Sequence, residues 1–487
     1  MLPAVLFSIV IIYFAILLTV AWYTSRNSNN DSFFIGNHNS NWMLVAFGMI
    51  GTSLSGVTFV SVPGTVGSNG FGYFQVVIGY FIGYIMVAYI LLPLYYRLNL
   101  TSIYHYLQHR FGTVAYKTGS LFFIVSRILG ATARLYLVIN VLQIFILDHM
   151  HVPFWLTSFI ILFMILLYTF EGGVKTIVFT DTLQTTFMLL GLIICVIYIM
   201  KNMQYSFSDT MHILTQRGYT KIFNTDLNSS GFWLKQILGG AFITVGMTGL
   251  DQEMMQKNIS VRNLKDSQKN MMSFTFIMVL VNFLFLFLGG LLYVFAASKN
   301  IQIKGDDLFP TIALNYLPPF VSIIFIVGII SALFPSADGA LTALTSSFCI
   351  DILGLKRRKH FSEQETKRTR MIVHFIFAAI FFISVMIFKW VNDKSIIGVI
   401  LTVAGYTYGP LLGLFAFGIL TKRTVSRGWG TLLVCLIAPV ICFVISAHAV
   451  QWFGGFRIGI ELLILNGLLT FIGLWMLSSP AKNSVEY

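Results

Sequence analysis

The chain has 487 residues, 57% of them hydrophobic and only 10% charged, with a mean hydropathy of +0.82. Soluble domains carry about 25% charged residues, so this composition excludes a water-soluble fold and predicts an all-α polytopic membrane protein in a lipid bilayer. The net charge of +13 could suggest a nucleic-acid partner, but its distribution follows membrane topology instead, and no nucleic acid is expected.

About 20 apolar residues cross the ~30 Å hydrocarbon core. Thirteen segments qualify: 3–23, 42–63, 72–96, 116–146, 153–170, 178–200, 232–251, 271–297, 319–350, 371–389, 395–420, 428–449 and 457–478. Lipid cannot satisfy open backbone groups, so each is predicted helical. The first run lacks a basic leader region and an Ala-x-Ala-like cleavage site, so it reads as a spanning helix and not a signal. The run 319–350 is long enough to tilt or to project beyond the bilayer.

Alternate loops differ in charge. One set carries about 20 Lys and Arg, among them Arg26, Arg97, Arg110, Lys175, Lys257, the run Lys356–Lys359, Arg370, Arg427 and Lys482, against about eight in the other set. The positive-inside rule makes the richer set cytoplasmic, with the N-terminus outside and the C-terminus inside a cell membrane. The loops 201–231 and 351–370 are too short to hold a soluble domain. One transmembrane domain is therefore expected over 1–487. Cys195, Cys349, Cys435 and Cys442 all lie in apolar segments and read as small packing residues.

Polar residues at membrane depth are expensive and are functional candidates by default. In chain order, the first group is Gly48-Met-Ile-Gly-Thr-Ser-Leu-Ser-Gly56, followed by Thr58, Ser61, Pro63 and Gly64. Unwound backbone there would expose carbonyls to a cation, although small residues also serve close helix packing. Arg127 and Arg134 lie seven apart on one helix face, open to pairing with a membrane acid, binding an anionic substrate or snorkelling. Asp181, near the start of its segment, is either a site residue or a complement to the helix dipole. Gly239-Gly-Ala-Phe-Ile-Thr-Val-Gly-Met-Thr-Gly-Leu-Asp251 is again glycine-broken and lies five segments after the first. Two interrupted helices in corresponding positions point to an inverted-repeat transporter.

The last group is Ser331-Ala-Leu-Phe-Pro-Ser-Ala-Asp338. Asp338 precedes the cytoplasmic border at Asp351 by 13 residues, about 19 Å along a helix, which places a carboxylate near mid-membrane. Pro335 has no N–H, so the Ser331 carbonyl loses its helical partner. A proline kink with back-bonding hydroxyls explains the proline and the serines but not Asp338. Gly79-Tyr-Phe-Ile-Gly83 reads as a helix contact. No HExxH, GxSxG or Walker loop occurs, and the histidines lack metal-ligand spacing.

These residues resemble the sodium:solute symporter family, with the five-plus-five inverted repeat of the leucine-transporter-like fold. Thr52–Pro63 looks like the family's broken first core helix. Thr101-Ser-Ile-Tyr-His-Tyr-Leu-Gln-His-Arg-Phe-Gly112 resembles its TS-x-YEYLE-x-RFG loop. Glu171-Gly-Gly-Val-Lys-Thr-Ile-Val-Phe-Thr-Asp-Thr-Leu-Gln184 resembles GG-x-x-AV-x-WTD-x-x-Q. Asp251-Gln-Glu-Met-Met-Gln256 and Gly409-Pro-Leu-Leu-Gly413 match further blocks in order. The resemblance makes 3–23 an extra N-terminal helix, 42–420 the core and 428–478 two C-terminal helices.

Carried over by position, the resemblance implies a sodium site from the carbonyls of Gly51, Leu54 and Ala332 and a hydroxyl at Ser336. The family's other hydroxyl position holds Pro335. A second ion site, for sodium or a proton, is implied at Asp181. The serine positions paired with it in some relatives hold Asp338 and Gly339. Two facing carboxylates repel unless a cation or proton lies between them. Ser53, Ser55 and Thr58 match hydroxyl positions near substrate in sialic-acid-transporting relatives. The arginine of those relatives aligns with Gly130, one turn from Arg134. Asp251 occupies a position that is polar in sugar transporters.

The resemblance implies a sodium-coupled symporter importing a small-molecule solute (sugar, sialic acid, amino or organic acid), with Na+ as coupling ion. A neutral or hydroxylated solute is favoured. The alternative is proton coupling through Asp338 or Asp181. A channel or membrane enzyme would need a filter-like repeat or a nucleophile–base set, and neither is evident.

Overall fold

The computed structural model describes residues 3–26, 33–34, 40–170, 173–355, 362–391, 396–425 and 428–480. Glu171, Gly172, Lys356–Lys359, Arg427 and Lys482 lie outside the described residues.

Each of the thirteen predicted segments falls on helix. These helices are α1 (Pro3–Ser25), the pair α2 (Trp42–Ser53) and α3 (Gly56–Asn69), then α4 (Phe74–Arg97), α5 (His105–Phe111), α6 (Thr113–Leu142) and α7 (Phe154–Thr169). They continue with α8 (Gly173–Met203), α9 (Phe207–Gln216), α10 (Trp233–Thr244), α11 (Gln252–Ile259), α12 (Leu264–Ser298) and α13 (Leu308–Thr311). The last are α14 (Pro319–Ser347), α15 (Glu363–Val391), α16 (Ile396–Leu420), α17 (Gly428–Trp452) and α18 (Leu462–Leu477).

Fewer than thirteen are uninterrupted spans. Nine helices among the described residues are long and apolar enough to cross a membrane, or ten if α2 and α3 count as one. The difference lies in α7 and α18, with 16 residues each, and in α10, which has 12 before it turns irregular. Sixteen residues rise about 24 Å, short of a ~30 Å core.

The breaks follow the glycines. α2 begins at Asn41, whose side chain accepts from the Met43 N–H, and ends at Leu54. Ser55 is extended, and α3 sets off at 55° to α2. α10 widens into a π turn over Val245–Gly249 before Asp251 restarts the chain as α11. Gly79 and Gly83 meet the α10 backbone at Ile237 and Ala241, where a Cβ would collide. The sequence reading of these glycines as a helix contact therefore describes the α4–α10 seam.

α14 is the most enclosed span. It packs on α6, α8 and α2 and touches α1, where the Ser331 hydroxyl donates to the Tyr13 hydroxyl at 2.7 Å. Large apolar side chains such as Phe159, Phe163, Phe276, Leu280, Ile383 and Phe443 face outward as the lipid-facing surface. All four cysteines are buried and free. Two residues of the positive-inside count are not loop charges: Lys257 and Arg370 are each 3% exposed. Lys257 pairs with Asp181 of α8.

Candidate solute cavity and ion sites

Residues at the α2–α3 break line a central cavity of about 100 Å³ together with α4, α6 and the π turn. Ser53, Ser55 and Thr58 contribute from the break, Tyr80 and Tyr84 from α4, and Arg134 from α6. Helix breaking explains why these hydroxyls face a cavity. Ser55 and Leu54 lie between two helix ends, so no described donor reaches the carbonyls of Gly51 and Leu54 across the break. Arg134 makes no ion pair among the described residues. A guanidinium with nothing opposite it, beside hydroxyls, can receive an anionic group.

Asp251 is placed differently. It does not line the cavity. It caps α11, accepting from the Glu253 and Met254 N–H groups. It also accepts from the Tyr408 hydroxyl at 2.7 Å and lies 3.7 Å from Arg127. Its lone pairs therefore serve the fold. Arg127 pairs closely with Glu253, which selects ion pairing from the three roles open to it in the sequence.

A larger cavity of about 510 Å³ lies beyond, at the α3–α4 turn and the 221–231 segment. The two share Tyr73, Ile397 and Leu401 as lining, so these three side chains separate the larger cavity from the smaller one. Tyr73 is held by a 3.1 Å hydroxyl–hydroxyl bond to Tyr80.

The candidate ion residues fall into two neighbouring groups. α2 and α14 meet at Gly51, where an added Cβ would stand 3.4 Å from the Pro335 ring. Leu54, Ala332 and Ser336 are buried nearby on these elements. The Ser336 hydroxyl donates to its own helix at Leu333, 2.9 Å away. The break carbonyls of Gly51 and Leu54 are thus the free oxygens of this group.

In the second group, Asp338 accepts from the Tyr168 hydroxyl at 2.8 Å and from the Gly339 N–H at 2.5 Å, with no ion pair among the described residues. Asp181 accepts from Thr52 at 3.2 Å and pairs with Lys257 at 2.6 Å. Asp181 thus has a charge partner of its own inside the membrane-spanning bundle.

Sequence reasoning passed over Lys257 and Glu253. Both stand on α11, four apart, with Nζ to Oε1 at 3.7 Å. A charged pair at helical spacing just after a broken apolar segment was the available signal.

The matched sequence blocks have structural uses. Tyr104, in the block 101–112, donates to the Leu250 carbonyl at 2.9 Å, and Tyr95 donates to the Gly249 carbonyl at 2.8 Å. Gln252 bonds the Ile103 N–H and the Thr101 carbonyl. The second break is therefore capped by this segment and α4.

The sodium:solute symporter family model matches residues 33–434. The sodium/sialic acid symporter NanT of Aliivibrio fischeri is 23% identical over 475 residues, covering 94% of this chain and 91% of that protein. The sodium/sialic acid symporter SiaT of Proteus mirabilis is 22% identical, covering 89% and 87%. Sodium/glucose cotransporter 1 of Oryctolagus cuniculus is 21% identical, covering 88% and 70%. Among solved structures, a substrate-bound, outward-open Na+-coupled sialic acid symporter superposes with a TM-score of 0.84 over 98% of both chains at 19% identity. Mhp1, a nucleobase-cation-symport-1 family transporter, gives 0.59 at 12%. With the family model spanning most of the chain, this multi-pass membrane protein belongs to the sodium:solute symporter family and is a sodium-coupled solute symporter.

Proposed function

We propose that the solute is a small hydroxylated organic anion, taken into the cell with sodium by alternating access. The carrying observation is the Arg134 guanidinium, without an ion pair among the described residues, in a cavity that Ser53, Ser55 and Thr58 share. An anionic group would lie on Arg134 and hydroxyls on the serines and threonine. The sequence alone leaned to a neutral or hydroxylated solute. An unpaired cation in the cavity adds the negative charge. Sialic acid, the solute in the names of two relatives, has both features.

Sodium, on this reading, lies against the free carbonyls of Gly51 and Leu54, with Ala332 and Ser336 across from them on α14. A sodium ion there would hold α2 against α14 and fix the break that lines the cavity, which raises solute affinity. On this reading, with the N-terminus outside and the C-terminus in the cytoplasm of a cell membrane, the larger cavity past Tyr73, Ile397 and Leu401 opens toward the outer side, the one with fewer Lys and Arg. Each inward sodium gains about 2.3 kcal/mol per 100 mV.

Uptake of labelled sialic acids, sugars, amino acids and organic acids into proteoliposomes under a sodium gradient tests this. Sodium-driven uptake confined to hydroxylated acids is expected. Uptake only of neutral sugars would remove the role given to Arg134. A proton-coupled reading is favoured by one observation, a buried Asp338 with no ion pair among the described residues. It requires uptake to follow a pH gradient without sodium and to disappear in Asp338→Asn.

A further inference from the structure

Lys257 is a cation already seated in an oxygen cage. Its Nζ lies 2.6 Å from Asp181 Oδ2 and 2.6 Å from Thr52 Oγ1, with Glu253 Oε1 at 3.7 Å. The ammonium thus hydrogen-bonds oxygens from α8 and α2, and the Glu253 carboxylate of α11 adds a longer ion-pair contact. The lysine side chain is 4% exposed and that of Asp181 1%. A second observation concerns the opposite wall. At Gly339 of α14 a Cβ would overlap the Glu253 carboxylate, so no hydroxyl side chain fits there while Glu253 keeps its place. The space between α8 and α14 is filled by this chain's own charges.

We propose that Lys257 is a tethered cation that occupies the Asp181 pocket, so the chain takes one sodium ion per cycle at the α2–α14 site and none at Asp181. The ammonium supplies the positive charge that the buried Asp181 requires, and it is tethered to the chain through α11. Two oxygens stand ready if the ammonium left: Asp181 Oδ1 and the amide oxygen of Gln184, one turn along α8, are buried without a hydrogen-bond partner among the described residues. Occupancy by Lys257 therefore decides between one ion and two. The proposal rests on the sodium site proposed above.

The test is equilibrium binding of radioactive sodium to the purified full chain in nanodiscs, with the sodium-to-solute ratio from reversal-potential uptake in proteoliposomes. Wild type should bind one sodium with a Hill coefficient of about 1. Lys257→Met should gain a second sodium and steepen toward about 2, Lys257→Arg should remain at one, and Lys257→Met with Asp181→Asn should return to one. Two sodium ions on wild type would overturn the proposal while leaving the sodium-coupled reading intact. A folded Lys257→Met that still binds one would also overturn it. Should Lys257→Met fail to fold, the wild-type count decides. No sodium on wild type would remove both readings together.

Discussion

The two helix breaks are built from similar glycine-rich sequence and end up opposite in character. At the α2–α3 break, the Gly51 and Leu54 carbonyls have no described donor, and the neighbouring side chains are neutral hydroxyls on a cavity. At the π turn before α11, the Gly249 and Leu250 carbonyls are capped by Tyr95 and Tyr104, and Asp251 is held by Tyr408, Arg127 and backbone N–H groups. Unmet polar groups in a membrane interior must find a partner. The first break leaves that partner to come from outside the chain. The second supplies it from within. On the reading proposed above, the first break receives ligands, while the second, although its π turn also lines the cavity, has its own carbonyls and carboxylate satisfied by the chain.

The largest expected effect follows from removing a charge partner at the second break. Arg127→Met leaves Glu253 and Asp251 without their guanidinium, an uncompensated charge that costs about 3–5 kcal/mol. Thermal unfolding in detergent should show a clearly lowered midpoint whether or not solute is present. An unchanged midpoint would mean the charges are neutralised some other way.

Arg134→Ala acts on the receptor side and should separate the two arginines of one helix. Arg134 has no described ion partner, so stability should hardly move. A charge-assisted hydrogen bond to an anionic solute contributes about 1.5–3 kcal/mol, so half-saturation should rise roughly tenfold to a hundredfold. Unchanged affinity with intact folding would remove Arg134 from the solute site. A smaller effect is expected at the second break. Tyr104→Phe loses the bond to the Leu250 carbonyl, about 1 kcal/mol, and hydrogen exchange in α11 should quicken while sodium affinity stays level.

The helices were legible because lipid imposes one rule on every apolar run, and glycine density marks both breaks in the chain. Ser53, Ser55, Thr58 and Arg134 converge on one cavity, as the sequence placed them. The fate of each charge was not legible. Asp251 looks like a solute contact in the chain and is an N-cap in space, because an aspartate just before a helix start accepts from that helix's own N–H groups. Lys257 looks like a loop cation because it ends an apolar segment and neighbours Arg262 and Lys265 in sequence. Only the packing of α11 against α2 and α14 turns it inward. Pairing between distant helices is a property of tertiary contact, which periodicity and hydropathy do not encode.

Pro335 tests how complete the receptor break is. The resemblance assigns that position a hydroxyl, and here the pyrrolidine ring lies beside Gly51 instead. Pro335→Ser returns an oxygen to the wall facing the free carbonyls, and it also returns an N–H to the Ser331 carbonyl. These act in opposite directions on the ion. The new hydroxyl adds a ligand, while the restored helical bond withdraws the Ser331 carbonyl. A ligand gained at the site outweighs a bond regained one turn away, since Ser331 already has its side chain fixed to Tyr13. The sodium concentration for half-maximal uptake should therefore fall by about two- to fivefold, less than 1 kcal/mol, with solute affinity at saturating sodium unchanged. A rise in that concentration would show that the carbonyl freed by Pro335 is itself a sodium ligand, and that the proline supplies what the missing hydroxyl does not.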